Sequence, residues 1–161
     1  MNVFEIVRQL ISMPVPFGEG MSFEYICCKT RKREVVFARQ AMMYLMKCYT
    51  KESYSHIGSH FATDENPKGK DHATVMHACK TIKNLIDTDK VIASKIKTYD
   101  AKIAEHIDFE KNVTLDKITE IKEFVKRQID ENRPITNELI VIYNHLIEKV
   151  MTMPDSKNDS K

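Results

Sequence analysis

A lysine-rich loop runs into the predicted start of a helix within the sequence Lys-Gly-Lys-Asp-His-Ala-Thr-Val-Met-His-Ala-Cys-Lys at residues 68–80. Lys68 and Lys70 supply positive charge just before the helix. The first turn carries side chains that can hydrogen-bond base edges, touch a thymine methyl group or hold a phosphate. These side chains belong to Asp71, His72, Ala73 and Thr74. Such a polar tip beside cations is typical of a helix that enters the DNA major groove.

The residues behind this tip indicate how the helix is anchored. Apolar side chains recur there at helical spacing, at Val75, Ala78, Cys79, Ile82, Leu85 and Ile86. One face of the helix can therefore pack on a core while its N-terminus stays accessible. The same pattern also fits a capped surface helix after a solvated loop, so the tip alone leaves both interpretations open.

A basic segment earlier in the chain could serve the same chemistry. Its cations lie within five positions, at Lys29, Arg31, Lys32 and Arg33. Basic arms of this kind can enter a minor groove or contact phosphates, although such runs are usually only solvated. Arg39 and Gln40 follow on the next predicted helix, where either can reach the DNA backbone or a base.

Length and composition bound the class of protein. A chain of 161 residues forms one domain, or one domain with an extension. The low content of glycine and proline favours helix. The net charge of +2 is unevenly distributed: residues 1–93 hold 13 Lys and Arg against 10 Asp and Glu, whereas residues 94–161 hold 12 against 13. A local basic arm matters more for nucleic-acid binding than this total.

The cysteines and the N-terminus indicate the cellular compartment. The four cysteines form no Cys-x-x-Cys pair, so reduced thiols in a cytosol are expected. Residues 1–15 lack the basic region and the cleavage site of a signal peptide. No apolar run approaches the roughly 18 residues of a membrane span. We therefore expect a cytoplasmic protein without a membrane partner.

The spacing of apolar residues predicts an all-α fold. The predicted helices of the first half lie at about 4–11, 21–28, 34–49, 54–61 and 71–87. Residues 62–70 form a polar loop between the last two, which gives a helix-turn-helix order with an enlarged turn. Gly58 within the short fourth helix would allow the close approach of another element.

The second half of the chain predicts three more helices between residues 90 and 153. Thr114 is expected to cap the second of them, and Pro134 or Thr136 begins the third. Their apolar stripes must pack against the first domain or a second chain. We divide the chain into a first domain at 1–93, a helical extension at 94–153 and a disordered tail at 154–161.

Catalytic and metal-binding patterns are weak. His56 and His60 are four residues apart on a predicted helix, a spacing that can chelate a metal, but no carboxylate or cysteine pair completes a site in sequence. The segment around Gly69 and Lys70 lacks the second glycine and the Ser or Thr of a Walker motif. We therefore expect no metal, no cofactor and no enzymatic activity.

Four stretches together resemble the C-terminal DNA-binding domain of the bacterial replication initiator DnaA. They are Lys-Thr-Arg-Lys-Arg-Glu-Val-Val at 29–36, Ala-Arg-Gln-Ala-Met-Met-Tyr-Leu at 38–45, Ile-Gly at 57–58 and Asp-His-Ala-Thr-Val-Met-His-Ala-Cys-Lys-Thr-Ile at 71–82. The last stretch is similar to the signature of the family. The resemblance covers residues 29–87 best and roughly 4–93 in all.

The resemblance implies a Trp-repressor-like helix-turn-helix and sequence-specific binding to duplex sites of the DnaA-box kind, in a nucleoid-associated bacterial protein. It implies that Arg31 enters the minor groove and that Thr74 holds a phosphate. Major-groove bases would be read by Asp71, His72 and Ala73. Arg39 and Gln40 would also contact DNA.

The chain departs from the family pattern at several places. Tyr54 and Ser55 stand where the family has a Leu-Pro pair at the DNA backbone, and the loop at 62–70 is longer. Residues 94–161 match no pattern of the family, and no ATPase motif is present. We therefore expect a standalone, non-enzymatic regulator of replication or transcription, whose residues 94–150 could form a homodimer or hold a protein partner. The alternative is a helical interaction module that derives from this domain and does not bind DNA.

Overall fold

The computed structural model describes residues 3–14, 18–131 and 134–153. Over these ranges the chain forms helices and no strand, which confirms the all-α prediction. The helices are α1 (Val3–Ser12), α2 (Phe23–Cys27), α3 (Arg33–Tyr49), α4 (Tyr54–Ser59), α5 (His72–Thr88), α6 (Lys90–Asp130) and α7 (Asn137–Thr152). No helix among the described residues is both long and apolar enough to span a membrane. The predicted tail at 154–161 lies outside the described residues.

Helix α3 is the centre of the first of two compact units, which ends at Ala104. Helices α1, α2, α4 and α5 all contact it. Its buried face comprises Val35, Ala38, Ala41, Met42, Met43, Leu45, Met46 and Tyr49. Helix α1 also buries one side, at Val3, Ile6, Val7, Leu10 and Ile11. Burial of this apolar surface is the main stabilising term of the unit.

The first turns of α6 belong to the same unit. Ile96, Tyr99 and Ile103 are buried. The Tyr99 hydroxyl donates to Glu19 Oε1 at 2.7 Å, and the Tyr49 hydroxyl donates to the backbone oxygen of Asp100 at 3.0 Å. The compact unit therefore extends past residue 93, where the similarity in sequence was expected to end.

Helix α6 is continuous from Lys90 to Asp130, so the prediction of two separate helices in this range is wrong. Thr114, the expected cap, lies inside the helix and is buried. Its hydroxyl donates to the backbone oxygen of Glu110 at 2.8 Å instead of capping a new helix. Threonine can bond to the preceding turn in this way, and no glycine or proline interrupts this range.

The second compact unit begins at Glu105 and contains the rest of α6 together with α7. The two helices and Ile135, which precedes α7, line an apolar groove of about 320 Å³. The helical residues that line it are Lys122, Val125, Leu139, Ile140 and Tyr143. None of the residues of α7, all of which the structure describes, is buried. Helix α7 begins after Thr136, one of the two predicted start positions.

The connection from α4 to α5 is a folded loop. Thr63 and Asn66 form two backbone hydrogen bonds of 3.1 and 3.0 Å. The side-chain amide of Asn66 donates to the backbone oxygen of Gly69. Gly69 adopts a positive φ of 70°, a conformation that favours glycine. The Lys70 N–H then donates to the Gly58 oxygen at 2.9 Å, which fastens the loop to α4.

Gly58 permits this fastening, as its position in the sequence predicted. A Cβ atom at Gly58 would overlap the backbone oxygen of Lys70. A backbone atom cannot move aside as the end of a flexible side chain can. The lack of a side chain at Gly58 therefore determines how closely the start of α5 approaches α4.

We expect Gly58→Ala to lower the free energy of unfolding. Overpacking a close contact costs about 1–3 kcal/mol, and alanine recovers at most about 1 kcal/mol through its helix propensity. Urea denaturation followed by circular dichroism measures the change. Ser55→Ala on the same helix is the control, because Ser55 is exposed and surface changes usually stay within about 0.5 kcal/mol. A Gly58→Ala variant as stable as this control would contradict the close approach.

Candidate nucleic-acid interface

The first turn of α5 is held in place by its own cap. Asp71 is the N-cap residue, with φ −70° and ψ 164°, and its Oδ1 accepts a hydrogen bond from the Thr74 N–H at 2.7 Å. This backbone hydrogen bond lowers the pKa of the Asp71 carboxyl below its ordinary value. The carboxylate is therefore ionised at neutral pH, and both residues are exposed at the helix tip.

A cleft of about 390 Å³ lies between α3 and α5. We call it the α3–α5 cleft, and it is lined by Val36, Arg39, Gln40, Met43, Asp71, Ala73, Thr74, His77 and Ala78. Five residues singled out from the sequence meet here: Arg39, Gln40, Asp71, Ala73 and Thr74. The fold therefore combines polar groups from two helices with the apolar side chains of Val36, Met43 and Ala78.

Arg39 also has a structural role that the sequence did not reveal. Its Nε donates to the backbone oxygen of Ile26 at 2.7 Å, and its Nη2 donates to the backbone oxygen of Cys28 at 2.7 Å. Burial lowers the pKa of the guanidinium, which nevertheless stays charged at physiological pH. Arg39 thus joins the C-terminal end of α2 to α3 at the edge of the cleft.

The predicted basic arm leads into α3. Arg31, Lys32 and Arg33 are all exposed. Lys32 is the N-cap residue of α3 and makes no side-chain cap hydrogen bond. Its ammonium group lies 5.9 Å from the centre of the Tyr25 ring, and a hydrogen bond with Tyr25 raises the pKa of Lys32. Arg33 is the first residue of the helix.

The remaining predicted residues lie outside the residues that line the cleft. His72 is the first residue of α5 and is exposed, and Lys68 and Lys70 belong to the folded loop. Tyr54 and Ser55 begin α4. The Tyr54 ring lies 5.2 Å from the Lys47 ammonium, measured to the ring centre. Lys68, Lys70 and His72 lie at the start of α5 in sequence, whereas Tyr54 and Ser55 lie in the preceding helix. The contacts of all five with DNA stay predictions.

Comparison with known proteins identifies the segment that carries this cleft. A family model described as Bacterial dnaA protein helix-turn-helix matches residues 19–82. The chromosomal replication initiator protein DnaA of Flavobacterium psychrophilum is 50% identical over 70 residues, which are 44% of this chain and 13% of that protein. Residues 19–82, which we call the DnaA-type domain for this similarity, are thus similar in sequence to the helix-turn-helix of DnaA proteins.

Other DnaA proteins extend the similarity. The protein of Bacteroides thetaiotaomicron is 50% identical over 68 residues, covering 42% of this chain and 13% of its own length. The protein of a Nostoc species is 34% identical over 97 residues, covering 60% of this chain and 20% of its own length. The chain thus spans a fifth or less of the length of these relatives. No solved structure matches the chain.

The DnaA-type domain contains every residue that lines the α3–α5 cleft, including one that the sequence analysis did not select. His77 is exposed and lines the cleft, and its Nδ1 lies 3.4 Å from the Thr81 hydroxyl. It follows Ala73 by four residues and Thr74 by three, so all three share one face of α5. Helical spacing from Ala73 was the signal that could have found it.

Two substitutions at Asp71 of the DnaA-type domain separate capping from ionisation. Asparagine caps a helix about as well as aspartate, whereas alanine does not. We expect Asp71→Asn to keep the melting temperature near that of the parent and Asp71→Ala to lower it. The pKa of Asp71 is lowered in the folded state, so its stabilisation is present above its ordinary pKa and is lost as pH falls through the lower value.

Differential scanning calorimetry at neutral and acidic pH measures both effects. The parent should lose stability faster than Asp71→Asn as pH falls, because asparagine carries no proton to titrate. Equal melting temperatures for Asp71→Ala and the parent at neutral pH would contradict the capping role.

Proposed function

We propose that residues 19–82 bind duplex DNA sequence-specifically, at sites of the DnaA-box kind, with the first turn of α5 in the major groove. The α3–α5 cleft is the observation that carries the proposal, because it brings Arg39 and Gln40 next to the tip of α5. A helix anchored by one face with a polar tip is the geometry that major-groove readers use. The similarity to DnaA over the same residues supports it.

Asp71 is suited to a base and unsuited to a phosphate. Its carboxylate is ionised and exposed, so direct contact between this carboxylate and a phosphate would be repulsive. Its Oδ1 already accepts from Thr74, which leaves Oδ2 to accept from an exocyclic amine such as cytosine N4. We propose that Asp71, with His72 and Ala73, reads base edges.

The cations and the helix N-terminus supply the phosphate contacts. The Thr74 hydroxyl can hold a phosphate, because the Thr74 N–H is already bonded to Asp71, and Lys68 and Lys70 add positive charge in the preceding loop. Arg33 lies one turn before Val36, so helical spacing puts it on the side of α3 that lines the cleft. Arg31 precedes the helix and can enter the adjacent minor groove.

The biological role we propose is the regulation of replication initiation, or of transcription from related sites, without ATPase activity. The relatives are named chromosomal replication initiator proteins. The matching family model describes their helix-turn-helix and not an ATPase domain. Duplex DNA as the partner would concentrate the protein at the bacterial nucleoid.

Fluorescence anisotropy with a DnaA-box duplex and a scrambled duplex tests this function. We expect tighter binding to the box, and Asp71→Asn should reduce the preference by roughly fivefold or more, because a specific base contact contributes about 1–3 kcal/mol of discrimination. Equal affinity of the parent for both duplexes would exclude sequence reading. No affinity for either duplex would favour the interaction module without DNA binding.

Lys70→Ala should weaken all duplexes equally. Lys70 is proposed to neutralise a phosphate, so its loss should reduce the slope of log affinity against log salt by about 1 and leave the box preference unchanged. Anisotropy titrations at several salt concentrations measure the slope. Lys126→Ala removes the same charge from an exposed position of α6 and is the control. A slope that changes equally in both variants would contradict the phosphate contact.

We also propose that residues 94–150 mediate self-association, which would suit paired DNA sites. Large apolar side chains of α6 and α7 are exposed, among them Phe109, Ile129, Val141 and Met151 at 63–81% exposure. Large apolar side chains exposed in this way can mark a protein contact. The absence of buried residues from α7, whose whole length the structure describes, leaves its apolar face available for a second copy.

Light scattering coupled to size-exclusion chromatography tests this contact. We expect a concentration-dependent dimer that Ile142→Lys weakens. Ile142 is 51% exposed and shares a face of α7 with Leu139 and Leu146, so a charge there would have to be buried in the contact. Asn144→Lys, at an exposed polar position of the same helix, is the control. A monomer at every concentration would exclude self-association without affecting the DNA-binding proposal.

A further inference from the structure

Three side chains with metal-binding atoms converge around α4. Glu52 lies in the turn before the helix, His56 lies within it, and His60 follows it. One carboxylate oxygen and one nitrogen from each imidazole all lie within 4.8 Å of one another. We propose that this Glu52–His56–His60 cluster binds one divalent transition-metal ion, with Zn²⁺ as the best fit.

The distances suit a common ligand sphere. His60 Nε2 lies 3.1 Å from Glu52 Oε2, and His56 Nδ1 lies 3.8 Å from the same oxygen. Bonds of about 2.0–2.1 Å to a tetrahedral ion put its ligand atoms about 3.3–3.4 Å apart. The two observed distances bracket this value, so small side-chain rotations bring the atoms to binding positions.

The turn before α4 creates the cluster. Ser53 caps α4 by accepting the His56 N–H at 3.2 Å, and Glu52 immediately precedes this cap. The three residues are spaced by four, and the turn continues the row that His56 and His60 begin on the helix. The sequence showed the histidine pair, but Glu52 lies outside the helix, so helical spacing alone did not assign it to the row.

Packing holds two of the ligands before any ion binds. The His60 ring stacks on Phe4, with ring centres 4.5 Å apart and planes 16° apart. Glu52 is held through its backbone, whose oxygen accepts from the Lys47 ammonium at 2.9 Å. The Glu52 and His60 side chains are only 25% and 22% exposed, whereas His56 is 62% exposed. The site therefore opens to solvent on the side of His56.

The donor set selects the class of ion. Two imidazoles and one carboxylate with an open side match zinc sites that have three protein ligands and one water. Magnesium and calcium prefer spheres of oxygen atoms and are disfavoured here. Copper and nickel also accept imidazole. A comparison of Zn²⁺ with Mg²⁺ therefore distinguishes ions that bind imidazole from ions that prefer oxygen ligands.

A bound ion would stiffen the support of α5. It would join the turn at Glu52 to the end of α4, and α4 holds the start of α5 through the Gly58 oxygen and the Lys70 N–H. An ion that binds only the folded chain raises its melting temperature. This rise in melting temperature needs no DNA. A failure to bind metal would therefore leave the DNA-binding proposal unaffected.

Isothermal titration of the untagged full chain with zinc chloride at neutral pH tests the site. We expect one Zn²⁺ per chain, no binding of Mg²⁺ and a higher melting temperature with zinc. Glu52→Gln and His56→Ala should each weaken zinc at least about tenfold, since even the loss of an outer-shell partner costs 10–100-fold. His106→Ala, which removes an exposed histidine outside the cluster, should bind as the parent does.

If Glu52→Gln perturbs the fold, the His56→Ala variant still tests the site, because the exposed His56 side chain can be removed with little loss of packing. Absence of zinc binding would show that the cluster is only a carboxylate–histidine ion pair. Binding that His56→Ala leaves unchanged, or that His106→Ala weakens equally, would also overturn the proposal. With Co²⁺ in place of zinc, tetrahedral ligation should produce visible absorption that His56→Ala removes.

Discussion

The backbone contact between Gly58 and Lys70 determines where the first turn of α5 lies. The Lys70 N–H donates to the Gly58 oxygen at 2.9 Å, and a Cβ atom at Gly58 would prevent this approach. Asp71, the cap of α5, comes immediately after Lys70. The position of the helix tip, and with it one wall of the α3–α5 cleft, therefore depends on a contact that only glycine permits.

Some groups that line the cleft stabilise the fold, and others remain available to a ligand. Arg39 is engaged with two backbone oxygens, at Ile26 and Cys28, so it orders the edge of the cleft. Asp71 commits one oxygen to the Thr74 N–H and keeps its charge. A binding site built in this way is ordered in the free protein, and such order would lower the entropic cost of the proposed DNA binding.

Local patterns in the sequence predicted much of the fold and missed what depends on distant partners. Apolar spacing predicted the helices that the structure shows as α1 and α3, and Gly58 was correctly predicted to allow the close approach of another element. The prediction of a helix start at Thr114 was wrong because a threonine hydroxyl can either cap a helix or donate to a backbone oxygen of the preceding turn inside one. The backbone bonds of Arg39 depend on the position of another segment, which no periodicity encodes. Glu52 precedes the helix that carries His56, so helical spacing alone did not reveal its approach to His60.

Selection of bound duplexes from a random pool tests the central claim most directly, because it assumes no site in advance. If the tip of α5 reads bases, the parent enriches one motif related to the DnaA box. Asp71→Asn, which keeps the cap, should then enrich a motif that differs at the base facing residue 71. No enriched motif, or the same motif from both proteins, would contradict base reading by Asp71.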